Sequence, residues 1–390
     1  MKIILFANTD WYLWNFRREL IESIRRHGWE VVLISPPGPY GPEFVARSVR
    51  WISVDMHRKS VNPFRQLKTL ASLYSIYRRE RPDIVHHFTL KSVILGSLAA
   101  KFTGIDVCVH AVAGMGFIFS SQSRRARILR PFVGLLLKAA LSGSYSRVIF
   151  QNPDDLKVFT EAKVIDACRS RLIRGSGVDT SRFRPGLRVP SRRCRVLLAT
   201  RLLWSKGIGD YVVAAGTLAR AGVPADFLVA GTPDPGSPDS VPVETIEIWQ
   251  NEGHVCFLGH VRDMDRLLSD VDIVVLPSSY AEGVPRILLE AAACGAAIIT
   301  TDRPGCREIV VNNITGILLQ PHDPSALASA LKSLITDPVR RTKLGLAARR
   351  KAQQEFEESS VIQATIDVYE DAFMARSSAN AGSKPLLTIR

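Results

Sequence analysis

Residues 272–301 read DIVVLPSSYAEGVPRILLEAAACGAAIITT, and this stretch constrains the fold more than any other. IVVL at 273–276 is a short apolar run rich in β-branched residues, the composition of a strand buried on both faces. PSSYAEG then supplies turn residues. Pro285 stands at a first helical position, where its missing N–H is not needed, and Gly295 ends the helix after about Cys294. A second β-branched strand follows at once. Strand, helix and strand at this spacing make a parallel βαβ unit, so an α/β fold with doubly wound sheets is expected.

Two carboxylates punctuate the unit, Glu282 in the loop and Glu290 within the helix. Eight residues of helix rise ~12 Å, about the length of a nucleotide diphosphate sugar. Between them the helix start offers backbone N–H groups from Gly283, Val284 and Arg286, and the positive end of a dipole. A pyrophosphate on the helix start, with a carboxylate reaching hydroxyls on either side, fits this arrangement. Glu290 interrupts an otherwise apolar helix and needs a partner there.

With 390 residues the chain accommodates two domains of ordinary size. A content of 46% hydrophobic and 23% charged residues suits a soluble globular protein, and no apolar run reaches the 18 or so residues that span a bilayer. MKIILFAN passes directly into Asn8 and Asp10 without a cleavage site, so it reads as a first strand rather than a signal peptide. Cysteines 108, 168, 194, 256, 294 and 306 show no C-x-x-C spacing, which points to buried thiols in a reducing, cytoplasmic compartment and to no zinc site. Asp270 and Asp272 form a D-x-D. They end a helix and open a buried strand, so a structural role is expected and no metal.

The net charge of +14 is unevenly spread. Residues 1–186 hold 29 Lys and Arg against 14 Asp and Glu, and the remainder holds 22 against 23. The first half therefore presents either a merely solvated basic face or a surface for an anionic partner, nucleic acid or an anionic membrane. No helix-turn-helix, RNA-recognition or zinc-finger signature accompanies the charge, which argues against nucleic acid.

Along the first half, strands are expected at 2–7, 30–35, 83–88, 107–111 and 147–151. Helices are expected ending near Arg26 and at 62–79 and 91–102, with NTDWYLWNFRREL read as a loop. The loop AVAGMGFIF, with Gly114 and Gly116, reads as a flexible turn or a close approach of backbone to a ligand. In 121–145, Arg124, Arg125, Arg127 and Arg130 precede the apolar residues Phe132, Val133, Leu135, Leu136, Leu137 and Leu141. Such a segment is either an interfacial helix on an anionic bilayer or a core helix with a basic first turn. The second half opens with a strand at 196–199 and a loop carrying Arg201 and Lys206. A planar fork and a point charge at the carboxyl edge of a parallel sheet suit a diphosphate.

Glu282 to Glu290 resembles the E-x7-E motif of the retaining family 4 glycosyltransferases of the GT-B fold. Arg201 and Lys206 match that family's R-x4-K, and GSGVDTSRFRP at 175–185 is similar to its N-G-V-D-x-x-x-F junction, with Ser176 in place of Asn. The family commonly has Gly or Ser where Pro285 stands. The resemblance implies two Rossmann-like domains facing a cleft: 1–186 for the acceptor and the membrane, 187–358 for the nucleotide sugar. A helix at 359–374 would cross back to the first domain, and a disordered tail would occupy 375–390. It further implies that Arg201 and Lys206 stabilise the leaving diphosphate, Glu282 orients the donor sugar, Glu290 contacts the ribose and the Val261 backbone pairs with the base. His110, following 107–109, would contact the sugar near its reacting carbon.

WNFR and HHFTLK resemble the subgroup that extends undecaprenyl-diphosphate-linked saccharides. Trp11, Trp14, Asn15 and Arg17 on the first loop, and His86, His87 and Lys91 on the third, would then hold the acceptor by stacking and phosphate contacts. The expected protein is a retaining, metal-independent UDP-sugar hexosyltransferase without cofactor, peripheral on the inner face of the plasma membrane. A nucleotide-sugar 2-epimerase of the same fold and a non-catalytic nucleotide-sugar-binding protein are the alternatives.

Overall fold

The computed structural model describes residues 1–57, 60, 62–112, 114, 124–186 and 193–382, with side chains for all of these except 124–130 and 380–382. Thirteen strands lie in these residues. Seven form one sheet: β1 Lys2–Phe6, β2 Glu30–Ser35, β3 Arg50–Ser53, β4 Ile84–Phe88, β5 Cys108–Val112, β6 Arg147–Phe150 and β7 Ser170–Leu172, in the order β3-β2-β1-β4-β5-β6-β7. Six form the other: β8 Cys194–Ala199, β9 Ala225–Ala230, β10 Cys256–Gly259, β11 Ile273–Leu276, β12 Ala297–Thr301 and β13 Ile317–Leu319, in the order β10-β9-β8-β11-β12-β13.

Every pairing in both sheets is parallel. In each, the chain starts at a central strand, winds outward, then returns to the other side. The order of strands reverses between β1 and β4 and between β8 and β11. Ligands of open parallel sheets bind outside the carboxyl ends of the strands at such a reversal.

Both sheets are buried on both faces, which explains the unalternating apolar strands. In β8, Val196 and Leu198 enter one core while Leu197 and Ala199 enter the other, and in β11 Ile273 and Val275 oppose Val274 and Leu276 in the same way. Contacts gather the chain into two units, Met1–Ile173 with the residues from Ile362 on, and Arg174–Val361.

The structure adds elements that the sequence reading omits, among them the short helix Gly41–Ala46, the edge strands β3 and β7, and β9. Two expectations are corrected. The segment read as a first loop is helical from Asp10 to Arg26, because the Thr9 hydroxyl caps the Tyr12 amide and Asp10 sits in the first turn. The last helix runs from Glu358 to Gly382, continuing through 375–382 where a disordered tail is expected.

Candidate functional site

At the reversal of the second sheet, the loops leaving β8 and β11 are tied together. Ser279 N–H donates to the Ser205 carbonyl at 2.8 Å. Gly207, at φ 76°, lies so close to Pro277 that a Cβ there would run into the Pro277 carbonyl oxygen. A 3₁₀ turn at Trp204–Lys206 then aims Lys206 inward. Its ammonium is buried, ion-paired with Glu282 and 4.9 Å from the centre of the Tyr280 ring. Burial pulls the Lys206 pKa down, but Glu282 and Tyr280 more than reverse this and leave it raised. Arg201 is half exposed and pairs with Asp234 at 2.6 Å.

The helix after β11 runs Arg286–Ala293, with Pro285 as its N-cap rather than its first residue. Glu290 finds the partner its position demands: Arg286, one turn earlier, donates Nε–H to Oε1 at 2.8 Å. Burial raises the Glu290 pKa, while Arg286 and then Arg182 oppose the rise. Val284 is buried, in close approach to Gly175. The Gly283 carbonyl passes so near Gly305 that a side chain there would collide with it. Val261 is half-buried and lines a cleft with Arg195, Asp263 and Asp270. Both carboxylates of the D-x-D serve Arg195: Asp270 pairs with its guanidinium and Asp272 accepts its backbone N–H at 2.9 Å.

At the reversal of the first sheet the chemistry differs. Trp11, Trp14, Asn15 and Arg17 lie on the helix Asp10–Arg26, not on a loop. Trp11 is 46% exposed. Trp14 stacks on Tyr40 beneath the Arg47 guanidinium, and Asn15 donates to the Trp11 carbonyl. Arg17 is buried, its Nη2 donating to the Tyr12 hydroxyl at 3.0 Å and its guanidinium 4.7 Å from the Phe88 ring centre. Among the described residues no carboxylate pairs with Arg17, and its Nε is buried without an acceptor. Lys91 lies in the helix Leu90–Thr103, where its ammonium donates to the carbonyls of His57 and Ser60 and burial lowers its pKa.

His86 and His87 belong to β4 and His110 to β5, inside the sheet rather than on loops. All three are buried. Tyr369, from the last helix, meets His86 Nδ1 at 2.6 Å, and Tyr77 meets His87 Nε2 at 3.0 Å. His87 and His110 face each other through their Nδ1 atoms at 3.2 Å. Burial drives all three imidazole pKa values down, that of His110 to about 3. Sequence reasoning missed Tyr77, Tyr280 and Tyr369. Tyr280 lay in the quoted loop PSSYAEG, whereas Tyr369 joins the site from 283 residues away and left no local signal.

The helix Arg124–Leu141 buries Leu137, Ala140 and Leu141 and exposes Phe132 (62%) and Leu135 (66%), with Leu136 half-buried. The side chains of Arg124, Arg125, Arg127 and Arg130, and the whole of Gly116, lie outside the described residues. No described helix is long and apolar enough to cross a membrane.

Two parallel sheets, each with a ligand-type edge at its reversal, are the architecture of a GT-B glycosyltransferase, and family models agree over most of the chain. Residues 2–152 match the model described as "Glycosyl transferase 4-like" and residues 179–351 that described as "Glycosyl transferases group 1". The chain belongs to the glycosyltransferases of this fold. It is similar to the N,N'-diacetylbacillosaminyl-diphospho-undecaprenol alpha-1,3-N-acetylgalactosaminyltransferase of Campylobacter jejuni, 27% identical over 95% of this chain and 98% of that protein. It is also similar to the UDP-Gal:alpha-D-GlcNAc-diphosphoundecaprenol alpha-1,3-galactosyltransferase of Escherichia coli, 25% identical over 76% of this chain and 78% of that one. The sucrose-phosphate synthase of Thermosynechococcus elongatus shares the fold, with a TM-score of 0.79 at 21% identity over 96% of this chain and all of that one.

Proposed function

We propose that the protein is a retaining, metal-independent hexosyltransferase that moves a sugar from a UDP-sugar to a polyprenyl-diphosphate-linked saccharide, in the assembly of a bacterial surface polysaccharide or glycan precursor. The observation that carries the donor half is Lys206, a buried ammonium held by Glu282 and Tyr280 at the carboxyl edge of the second sheet. A leaving diphosphate finds there the cation it needs, with Arg201 on the same loop, and the helix Arg286–Ala293 starts shortly after Glu282, the partner of Lys206. Glu282 orients sugar hydroxyls, Glu290 the ribose, and the Val261 backbone the base.

In the reaction the bond from the anomeric carbon to the diphosphate oxygen breaks, and the acceptor oxygen bonds to that carbon on the same face. The acceptor proton passes to the departing diphosphate. The chain's own residues contribute positioning and charge stabilisation. Arg201 and Lys206, rather than a divalent ion, counter the leaving charge.

For the acceptor, two of the relatives are named for a diphospho-undecaprenol saccharide. The buried Arg17 suits such a diphosphate, and the exposed Trp11 suits a sugar face. Phe132 and Leu135, following the basic start of their helix, suit the inner, anionic face of the plasma membrane.

The test is thermal unfolding with UDP, GDP and ADP, followed by transfer to a polyprenyl-diphosphate saccharide with and without EDTA. UDP alone at 100 times its Kd should stabilise by about 2.7 kcal/mol, and Glu290→Ala should abolish the shift. Turnover should survive EDTA, and the product should keep the donor's anomeric configuration. Absence of any nucleotide shift sinks the donor site; loss of turnover in EDTA or an inverted product sinks the mechanism.

A further inference from the structure

Beneath the edge of the first sheet, three side chains form a line of hydrogen bonds whose direction is set at its closed end. Tyr77 is buried in the helix Pro63–Glu80, and among the described residues its hydroxyl has one partner, His87 Nε2, at 3.0 Å. A buried phenol proton needs an acceptor, so Tyr77 donates and His87 Nε2 is the acceptor. A neutral imidazole carries one proton. That of His87 therefore sits on Nδ1 and is donated to His110 Nδ1, 3.2 Å away. His110 in turn is left with its proton on Nε2, a buried position that has no partner among the described residues.

The surroundings hold this order in place. The helix Leu90–Thr103 passes so close that a Cβ on Gly96 would collide with His87 Nε2. The rings of His87 and His110 stack at 5.2 Å and 29°. Burial disfavours protonation of either imidazole, and no carboxylate is bonded to any member of the line among the described residues.

We propose that Tyr77 and His87 are positioning residues that fix His110 in its Nε2–H form, so that His110 meets an oxygen of the substrate as a neutral hydrogen-bond donor and not as a base. The proposal rests on the glycosyltransfer reading only for which oxygen is met. A donor at that point strengthens as negative charge grows on the oxygen it faces, which is the contribution expected of a group that stabilises a transition state rather than one that removes a proton.

The experiment is a long-range ¹H–¹⁵N spectrum of ¹⁵N-histidine-labelled protein, with His110 assigned by its loss in His110→Gln. Wild type should show His110 Nε2 protonated and Nδ1 bare. In Tyr77→Phe, which keeps the ring and its packing, the two forms of His110 should mix. Its kcat should fall about tenfold, the value of one well-placed hydrogen bond, with the donor KM and the UDP thermal shift unchanged. A merely structural tyrosine would lower the unfolding temperature without altering the tautomer. A wild-type His110 protonated on Nδ1 overturns the proposal even if the variant fails to fold, and so does a Tyr77→Phe enzyme with wild-type turnover. A wild type that holds the Nε2–H form but transfers no sugar leaves the tautomer assignment standing and overturns the transferase reading instead.

Discussion

The two sheets share a strand order, yet their edges are furnished in opposite ways. Around the second, each cation named above has a carboxylate against it: Lys206 with Glu282, Arg201 with Asp234, Arg286 with Glu290. Around the first, the buried imidazoles of His86, His87 and His110 and the Arg17 guanidinium bond to tyrosines and to one another, with no carboxylate among their described partners. An ion pair in the free protein keeps a buried cation charged and oriented, its attraction offsetting the desolvation penalty in part, until an anion arrives to share it. A neutral network instead offers fixed donors whose strength does not depend on screening by salt. The fold supplies two equivalent edges, and the residues placed on them furnish one with cation–carboxylate pairs and the other with neutral imidazole contacts and a guanidinium that no described carboxylate meets.

The largest effect expected from breaking this comparison is at Lys206. Lys206→Met leaves Glu282 without its cation, which should cost about 3–5 kcal/mol of stability and about 10²–10³ in turnover. Pairing it with Glu282→Gln should return most of the stability and none of the turnover. Urea unfolding and transfer rates on the same samples separate the two, and a double variant as unstable as the single would show that the pair is not what holds this loop.

A smaller effect distinguishes the first edge. His86, His87 and His110 stay neutral in the fold, His110 with a pKa of about 3, whereas in the unfolded chain each protonates near its ordinary value. The folded state then binds fewer protons, so stability is full above about pH 6.5 and is lost as pH falls towards the folded values. Each histidine should contribute roughly 1 kcal/mol per pH unit over that window. His110→Gln, which keeps an acceptor for His87, should reduce the loss between pH 6.5 and 5 by roughly 1–2 kcal/mol. An unchanged pH slope in urea titrations would mean that this imidazole is not kept neutral.

The second edge was the more legible in sequence because its signals are local. A β-branched strand, a run of breakers and a helix fix where Glu282 and Glu290 fall, and Arg201 and Lys206 follow a strand of the same kind. The first edge depends on partners brought from afar. In WYLWNF the aromatics obscure the helical period, and only the Thr9 cap shows that the helix has begun. His86 and His87 sit in a strand buried on both faces, where alternation gives no sign of which way a side chain points. Their tyrosines lie ten and 283 residues off. The last helix outruns its apolar pattern because Met, Ala and Arg at 374–376 still favour helix after the buried face has ended.

Arg17 gives the finest test, since it is the buried cation described at the first edge. A buried guanidinium with no carboxylate among the described residues resembles half of an ion pair, and an acceptor diphosphate would complete it. Arg17→Gln keeps a donor for Tyr12 but removes the charge. It should raise the acceptor KM about tenfold, one charged hydrogen bond's worth, and leave the donor KM and the UDP thermal shift where they were. With a phosphate-free saccharide as acceptor the variant and the wild type should differ little. If the donor KM rises instead, the two edges do not divide donor from acceptor in the way their charges suggest, and the guanidinium belongs with the cations of the second sheet.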